Sequence, residues 1–181
     1  MLKRSIFLIL LFLLGFPMFS YAEVYLDTDE LLKDMLSASE TIEGESILLS
    51  RDEKEVVEKR LGNKISEESF TFYTGKTNGK VDSSCLIISE TGKHGPVTFI
   101  IAITQEGKIR DIGLLEHREV KGGNIGSRRF LKQFVGKTSR DPIKLKKDID
   151  AVTGATVSSK AATKAVKKAL VIWEEVFKPR F

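Results

Sequence analysis

The sequence predicts an α+β fold, a twisted antiparallel sheet packed against helices in a single domain. Three observations predict it. The β-branched and apolar runs 81–89, 97–104 and 108–116 follow one another across short Gly-containing turns, which is meander spacing. An aromatic run at 69–74, with Phe70, Phe72 and Tyr73, adds a fourth strand. Beyond residue 156, apolar side chains recur near helical spacing as far as Phe177, which gives one long amphipathic helix to lay on the sheet.

Taken in order, the chain opens with Lys3 and Arg4, an apolar core from Ile6 to Phe16, a helix-breaking Pro17, and Ser20-Tyr21-Ala22 ahead of Glu23. This is the layout of a secretory signal peptide covering residues 1–22, and it predicts a periplasmic or otherwise extracytoplasmic protein. The alternative is an uncleaved membrane anchor, for which the run is short against the ~20 residues that span a bilayer. No Cys follows the apolar core, which argues against a lipoprotein. The 181 residues less this leader leave 159, enough for one domain with a sizeable core. Without Lys3 and Arg4, the 29 basic residues fall to 27 against 25 acidic ones, and the two signs are interspersed. Nothing in that balance predicts nucleic-acid binding. Cys85 is the only cysteine, so an internal disulfide, an iron–sulfur centre and a CxxC redox site are excluded, and its strand-like surroundings predict burial.

Residues 23–79 read as an accessory segment of helices and a first strand, ahead of the main domain at 80–181. Asp27-Thr28-Asp29-Glu30 opens a short helix carrying Leu31, Leu32, Met35 and Leu36, and a charged helix follows Ser50 and stops at Gly62-Asn63. The aromatic strand at 69–74 predicts packing into the sheet core. His94 sits in a glycine-flanked turn, where a histidine is usually solvated. Two distant His with no Cys or carboxylate at ligand spacing predict no zinc site. After Gly122 to Gly126, residues 127–135 form a short helix with Phe130, Leu131, Phe134 and Val135 on one side. Gly136-Lys137-Thr138 has a Walker-like look, but Leu131 stands where that loop needs a glycine. Asp141-Pro142 marks a turn, and 143–149 leads into the stretch that matters most.

That stretch is Asp150-Ala151-Val152-Thr153-Gly154-Ala155-Thr156. Gly154 permits a sharp turn and Ala155 keeps the surroundings small, so that the Thr156 hydroxyl is presented openly. The helical stripe of Val157, Ala161, Ala165, Ala169, Ile172, Trp173 and Val176, with Lys160, Lys164, Lys167 and Lys168 outside it, puts Thr156 at a helix start. Free N–H groups and the positive end of the helix dipole converge there, a natural seat for a phosphate. The plainer alternative is that Thr153, Thr156 and Ser158 only cap the helix.

The heptapeptide resembles the flavinylation motif of the FMN-binding domain family, the covalent-FMN domain of the Rnf complex and of the sodium-pumping NADH:quinone oxidoreductase. His94-Gly95-Pro96, the run 97–104, the turn 105–108 and the segment 109–119 resemble that family's core hairpin, and the resemblance extends over about residues 80–177. It implies that a FAD:protein FMN transferase joins the FMN phosphate to the Thr156 hydroxyl, displacing AMP from FAD. It also implies that Asp150, Thr153, Gly154 and Ala155 form the recognised segment and that His117, Arg118 and Glu119 approach the flavin. The family's Glu-Thr-Pro-Gly-Leu-Gly-like loop reads Glu119-Val120-Lys121-Gly122-Gly123-Asn124-Ile125-Gly126 here, without the Thr-Pro pair. For His117 the alternative is an ordinary solvated strand end.

The expectation is therefore an exported flavoprotein carrying FMN through a phosphoester on Thr156 and passing electrons between membrane or extracytoplasmic redox proteins. Two other readings stay open, an accessory module binding FMN or another phosphorylated ligand reversibly, and a flavin-dependent reductase of a small substrate. The chain has no dinucleotide-binding glycine fingerprint, which counts against direct use of NAD.

Overall fold

The computed structural model describes residues 28–117 and 125–180. The signal peptide and the Arg118 to Asn124 part of the loop after the hairpin, including Glu119, lie outside the described residues. Among the described residues, no helix is long and apolar enough to cross a membrane.

The elements follow the order α1 (Thr28–Met35), β1 (Thr41–Leu48), α2 (Arg51–Leu61), β2 (Ser69–Thr77), β3 (Lys80–Thr91), β4 (Pro96–Thr104) and β5 (Ile109–His117). Then come α3 (Arg128–Leu131), a 3-10 turn over Lys132–Phe134, and α4 (Thr156–Ile172), which continues as a π-helical turn through Phe177. The strands form one antiparallel meander in the order β1-β2-β3-β4-β5. The α+β expectation holds, with five strands instead of four. The additional one, β1, pairs with β2 along its whole length, yet only Ile47 of its eight residues is buried. An edge strand wet on both faces has no reason to alternate, so it left no period-2 signal. Two strands of the sheet thus come from the segment read as accessory.

β4 is the most deeply buried strand. Phe99, Ile101 and Ile103 face the α4 side, where Phe72, Leu86 and Ile88 join them. Ile100 and Ala102 face the other side, with Cys85, Leu115, the α1 residues Leu32 and Met35, and Leu36 just after the helix. Burial on both faces is why this strand reads as an unbroken apolar run. Cys85 is buried as expected, and burial pushes its thiol up to about 12, so it stays protonated and inert.

α2 begins with a capping box, in which Ser50 Oγ accepts from the Glu53 N–H at 3.2 Å and Glu53 Oε2 from the Ser50 N–H at 2.8 Å. It ends at Gly62 in the left-handed region, φ 72°.

α4 lays Ala161, Ala162, Ala165, Val166 and Ala169 on the sheet, close because the side chains are small. Its far end is anchored by aromatics: Phe177 stacks on Phe72 with ring centroids 4.5 Å apart, and Trp173 Nε1 donates to Ser84 Oγ at 2.9 Å. The β4–β5 turn closes over the same indole, and a Cβ at Gly107 would come within 2.8 Å of Trp173 Cζ3. Two members of the helical pattern are corrected. Val157, expected in the apolar stripe, is 47% exposed because it lies in the first turn, beyond the sheet. Lys168, expected outside it, is 8% exposed and is neutralised by Glu67 at 2.8 Å and Glu90 at 2.5 Å.

Candidate functional site

The site is a corner in the chain between an irregular loop and α4, the longest helix among the described residues. The loop that precedes it is organised by one carboxylate. Asp148 accepts from the N–H groups of Lys144 at 2.8 Å and Ile143 at 3.1 Å and from Lys137 Nζ at 2.9 Å. Burial raises its pKa, but those hydrogen bonds and the Lys137 charge outweigh that, so the carboxyl is held below its usual range. They also hold a costly backbone, since Ile143 and Lys146 sit at φ 47° and 62°.

The next residues are clamped from two directions. Gln133 Oε1 accepts from the Asp150 N–H at 2.8 Å while its Nε2 donates to the Asp150 carbonyl at 3.2 Å. Ser159 Oγ, fully buried, accepts from the Val152 N–H at 3.0 Å. A turn then follows, with the Ala155 N–H donating to Val152 O at 3.0 Å and Gly154 at φ 79°. The Ala155 side chain is buried and pins the corner, and the Ser159 N–H donating to Ala155 O at 2.8 Å opens the helix.

The consequence for Thr156 is specific. It is the first residue of α4, it is exposed, and its hydroxyl makes no hydrogen bond among the described residues. The N-cap is Ala155, which offers no side-chain acceptor, so neither Thr153 nor Thr156 caps the helix. The capping alternative is overturned for these two threonines, because the turn at Gly154 carries Thr153 outward. An α-helix leaves its first N–H groups without intrahelical acceptors, and Thr156 stands exposed in that first turn, at the positive end of a 17-residue helix.

Asp150, Thr153, Gly154 and Thr156 are thus exposed along one short stretch of chain, while Ala155 is buried and anchors it. His117 reaches the same end of the molecule by another route. Trp173 of α4 contacts Ser84 and Lys168 contacts Glu90, so the helix runs along β3 with its N-terminus toward the end where β3 finishes. There β4 begins, and Val97, which faces α4, pairs with His117. Cross-strand partners share a face. His117 is therefore a half-buried residue on the α4 side of the sheet, at the end toward which the start of α4 lies. Glu119 lies outside the described residues.

Gln133 and Ser159 were not legible as site residues. Gln133 is 17 positions from its partner, with no local pattern linking them. Ser159, seven positions from Val152, had the signal of a polar residue on a buried helix face.

Residues 92–171 match the family model of the FMN-binding domain. That segment, a little under half of the chain, is similar to the FMN-binding domain family. The matched segment falls within the 80–177 region marked by resemblance. The chain is 31% identical over 116 residues to the G component of the proton-translocating ferredoxin:NAD(+) oxidoreductase complex of Clostridium ljungdahlii, covering 60% of this chain and 62% of that protein. It is 28% identical over 134 residues to the G component of the Na(+)-translocating ferredoxin:NAD(+) oxidoreductase complex of Acetobacterium woodii, covering 68% and 65%. The chain therefore spans under two thirds of these two relatives' length. A match to the G component of the ion-translocating oxidoreductase complex of Shewanella amazonensis, 27% identical, extends over 94% of this chain and 89% of the relative. Among solved structures, Shewanella oneidensis NqrC aligns with a TM-score of 0.56 at 14% identity, covering 81% of this chain and 86% of that one, which shows a shared fold.

The residues present fit FMN on their own chemistry. A phosphate anion suits a helix start whose cap supplies no side-chain acceptor. Among the described residues no group of three or more His, Cys, Asp or Glu is placed to hold a metal ion.

Proposed function

We propose that this protein is an extracytoplasmic electron-transfer flavoprotein that carries FMN covalently through a phosphoester on Thr156, installed by a FAD:protein FMN transferase. The observation that carries the reading is the unbonded, exposed Thr156 hydroxyl at the first position of α4, behind a cap with no side-chain acceptor.

FMN, when bound, supplies a redox centre that takes up and passes on electrons. The chain's own residues do the rest. Thr156 Oγ provides the ester oxygen, and the N–H groups of the first turn hold the phosphate charge. Gln133 and Ser159 fix the backbone at Asp150 and at Val152, where the chain enters the turn, so that the segment meets the transferase already shaped and little ordering is left for binding to impose. His117, at the sheet end on the same face, and Glu119 are the side chains assigned to the flavin ring or to its proton exchange. The redox partners are membrane or extracytoplasmic proteins, as membership of an ion-translocating oxidoreductase complex would require. Covalent attachment suits that location, since a dissociable flavin would be lost by diffusion.

The test is redox cycling of protein produced with the transferase. Wild type is expected to bleach on reduction and to recover its colour on passing electrons to ferricyanide, while Thr156→Val shows neither change. Wild type that holds flavin but does not exchange electrons would refute the carrier role.

A further inference from the structure

A groove of about 710 Å³ runs along the outer side of α4, with the 140–147 loop as its opposite wall and the end of α2 at its head. Its inner cations are satisfied. Lys168 is paired with Glu67 and Glu90, Arg60 with Glu174 and Glu175, and Lys167 Nζ donates to the carbonyls of Ser139 and Asp141, tying the loop to the helix. Its rim is different. Lys160 and Lys164 are one turn apart on α4, Lys144 and Lys147 stand on the facing loop, and all four are exposed. None of them forms an ion pair with a carboxylate of the described residues. The two carboxylates that line the groove are already engaged, Glu90 with Lys168 and Asp141 with the Thr138 N–H and hydroxyl. The Lys167 ammonium is held below the usual lysine range, by burial first and by the Arg60 charge next, with Lys144 adding to it against the pull of Asp141 and Asp148.

We propose that this groove binds a small molecule carrying a diphosphate, or two phosphates, at a site separate from the helix start. Like-signed lysines facing one another across a concave surface repel, and an anion between them removes the repulsion. Lysines act as mobile point charges and suit a flexible polyphosphate, whose geometry varies, better than a single planar carboxylate. The volume lies within the range of small-molecule sites. Leu61, Pro142 and Leu145 line the same groove and give the non-phosphate part of a ligand an apolar surface. The charge alone would describe an ordinary solvated face, but here the lysines stand on the two walls of a groove whose carboxylates are already engaged. The site does not depend on the flavin reading. Lys160 nevertheless lies only about 6 Å along the helix from Thr156, so the two sites have to be told apart by experiment.

The probe is inorganic pyrophosphate, titrated calorimetrically into the full chain without its leader at low and high salt. Saturable binding that weakens with salt is expected in wild type and in Thr156→Val. It should fall about tenfold or more in Lys147→Glu/Lys164→Glu, whose melting temperature should stay near wild type because both side chains are exposed. Two further arms name the source. Binding of ADP without co-sedimentation on phosphatidic acid vesicles assigns a soluble diphosphate, and co-sedimentation that the double substitution abolishes assigns a phospholipid headgroup. No saturable binding at low salt, equal binding by the double variant, or loss of binding in Thr156→Val would each overturn the proposal.

Discussion

The side-chain amide of Gln133 holds the backbone of Asp150 at two points, accepting from its N–H at 2.8 Å and donating to its carbonyl at 3.2 Å. An amide reproduces what a neighbouring strand would offer, so this irregular residue is held as though it were in a sheet. Asp150 itself is exposed, which leaves its carboxylate available while its backbone is fixed. Gln133→Ala should cost about 1 kcal/mol of stability, since the bonds are partly solvated, but should slow flavin incorporation several-fold. Flavin incorporation over time beside the transferase checks this, and an unchanged rate would show that the clamp has no part in presenting the segment.

Ser159 is the second clamp, two residues further on at Val152. Ser159→Ala removes the acceptor of the Val152 N–H at a fully buried position, leaving that donor without its partner. The expected cost is about 1–3 kcal/mol, or several degrees in melting temperature by calorimetry. Ser159→Thr keeps an acceptor but adds a methyl group to a closed space, so it should fall between the two.

Much of this was legible in the sequence, and the parts that were not share a cause. β3, β4, β5 and α4 each carry their own signature, because burial leaves a local mark, an unbroken apolar run in β4 and a small-residue stripe from Ala161 onward in α4. β1 has no such imprint. Lys168 looked solvated because the two carboxylates that neutralise it come from residues 67 and 90. The presented segment was legible through Gly154 and Thr156, whereas its clamps, Gln133 and Ser159, act across gaps in sequence that no local pattern records.

Asp148 makes stability depend on acid. Its pKa is depressed in the folded chain, so its contribution is complete above the ordinary value of 3.8 and is lost as pH falls below that through the folded-state value. Asp148→Asn should be less stable than wild type at neutral pH, by about 2 kcal/mol for the lost ion pair and N–H acceptors. The gap between the two proteins should close in strong acid. Denaturant unfolding at pH 7 and pH 3 measures both, and a gap that does not narrow would mean that Asp148 is not ionised in the folded loop.

The far end of α4 carries more stability than its start. Phe177 stacks on Phe72 at 4.5 Å and is 3% exposed. Phe177→Ala should cost about 3–5 kcal/mol, seen as a lower denaturant midpoint at unchanged slope. Flavin attachment at the opposite end of the helix should survive at temperatures where the variant is folded.

Whether Thr156 bears the flavin is decided by intact-mass spectrometry of denatured protein. Wild type produced beside the transferase should carry one FMN less water, on a peptide that contains Thr156, and Thr156→Val should carry nothing. An unmodified mass for wild type, or an increment that persists in Thr156→Val, would contradict the assignment.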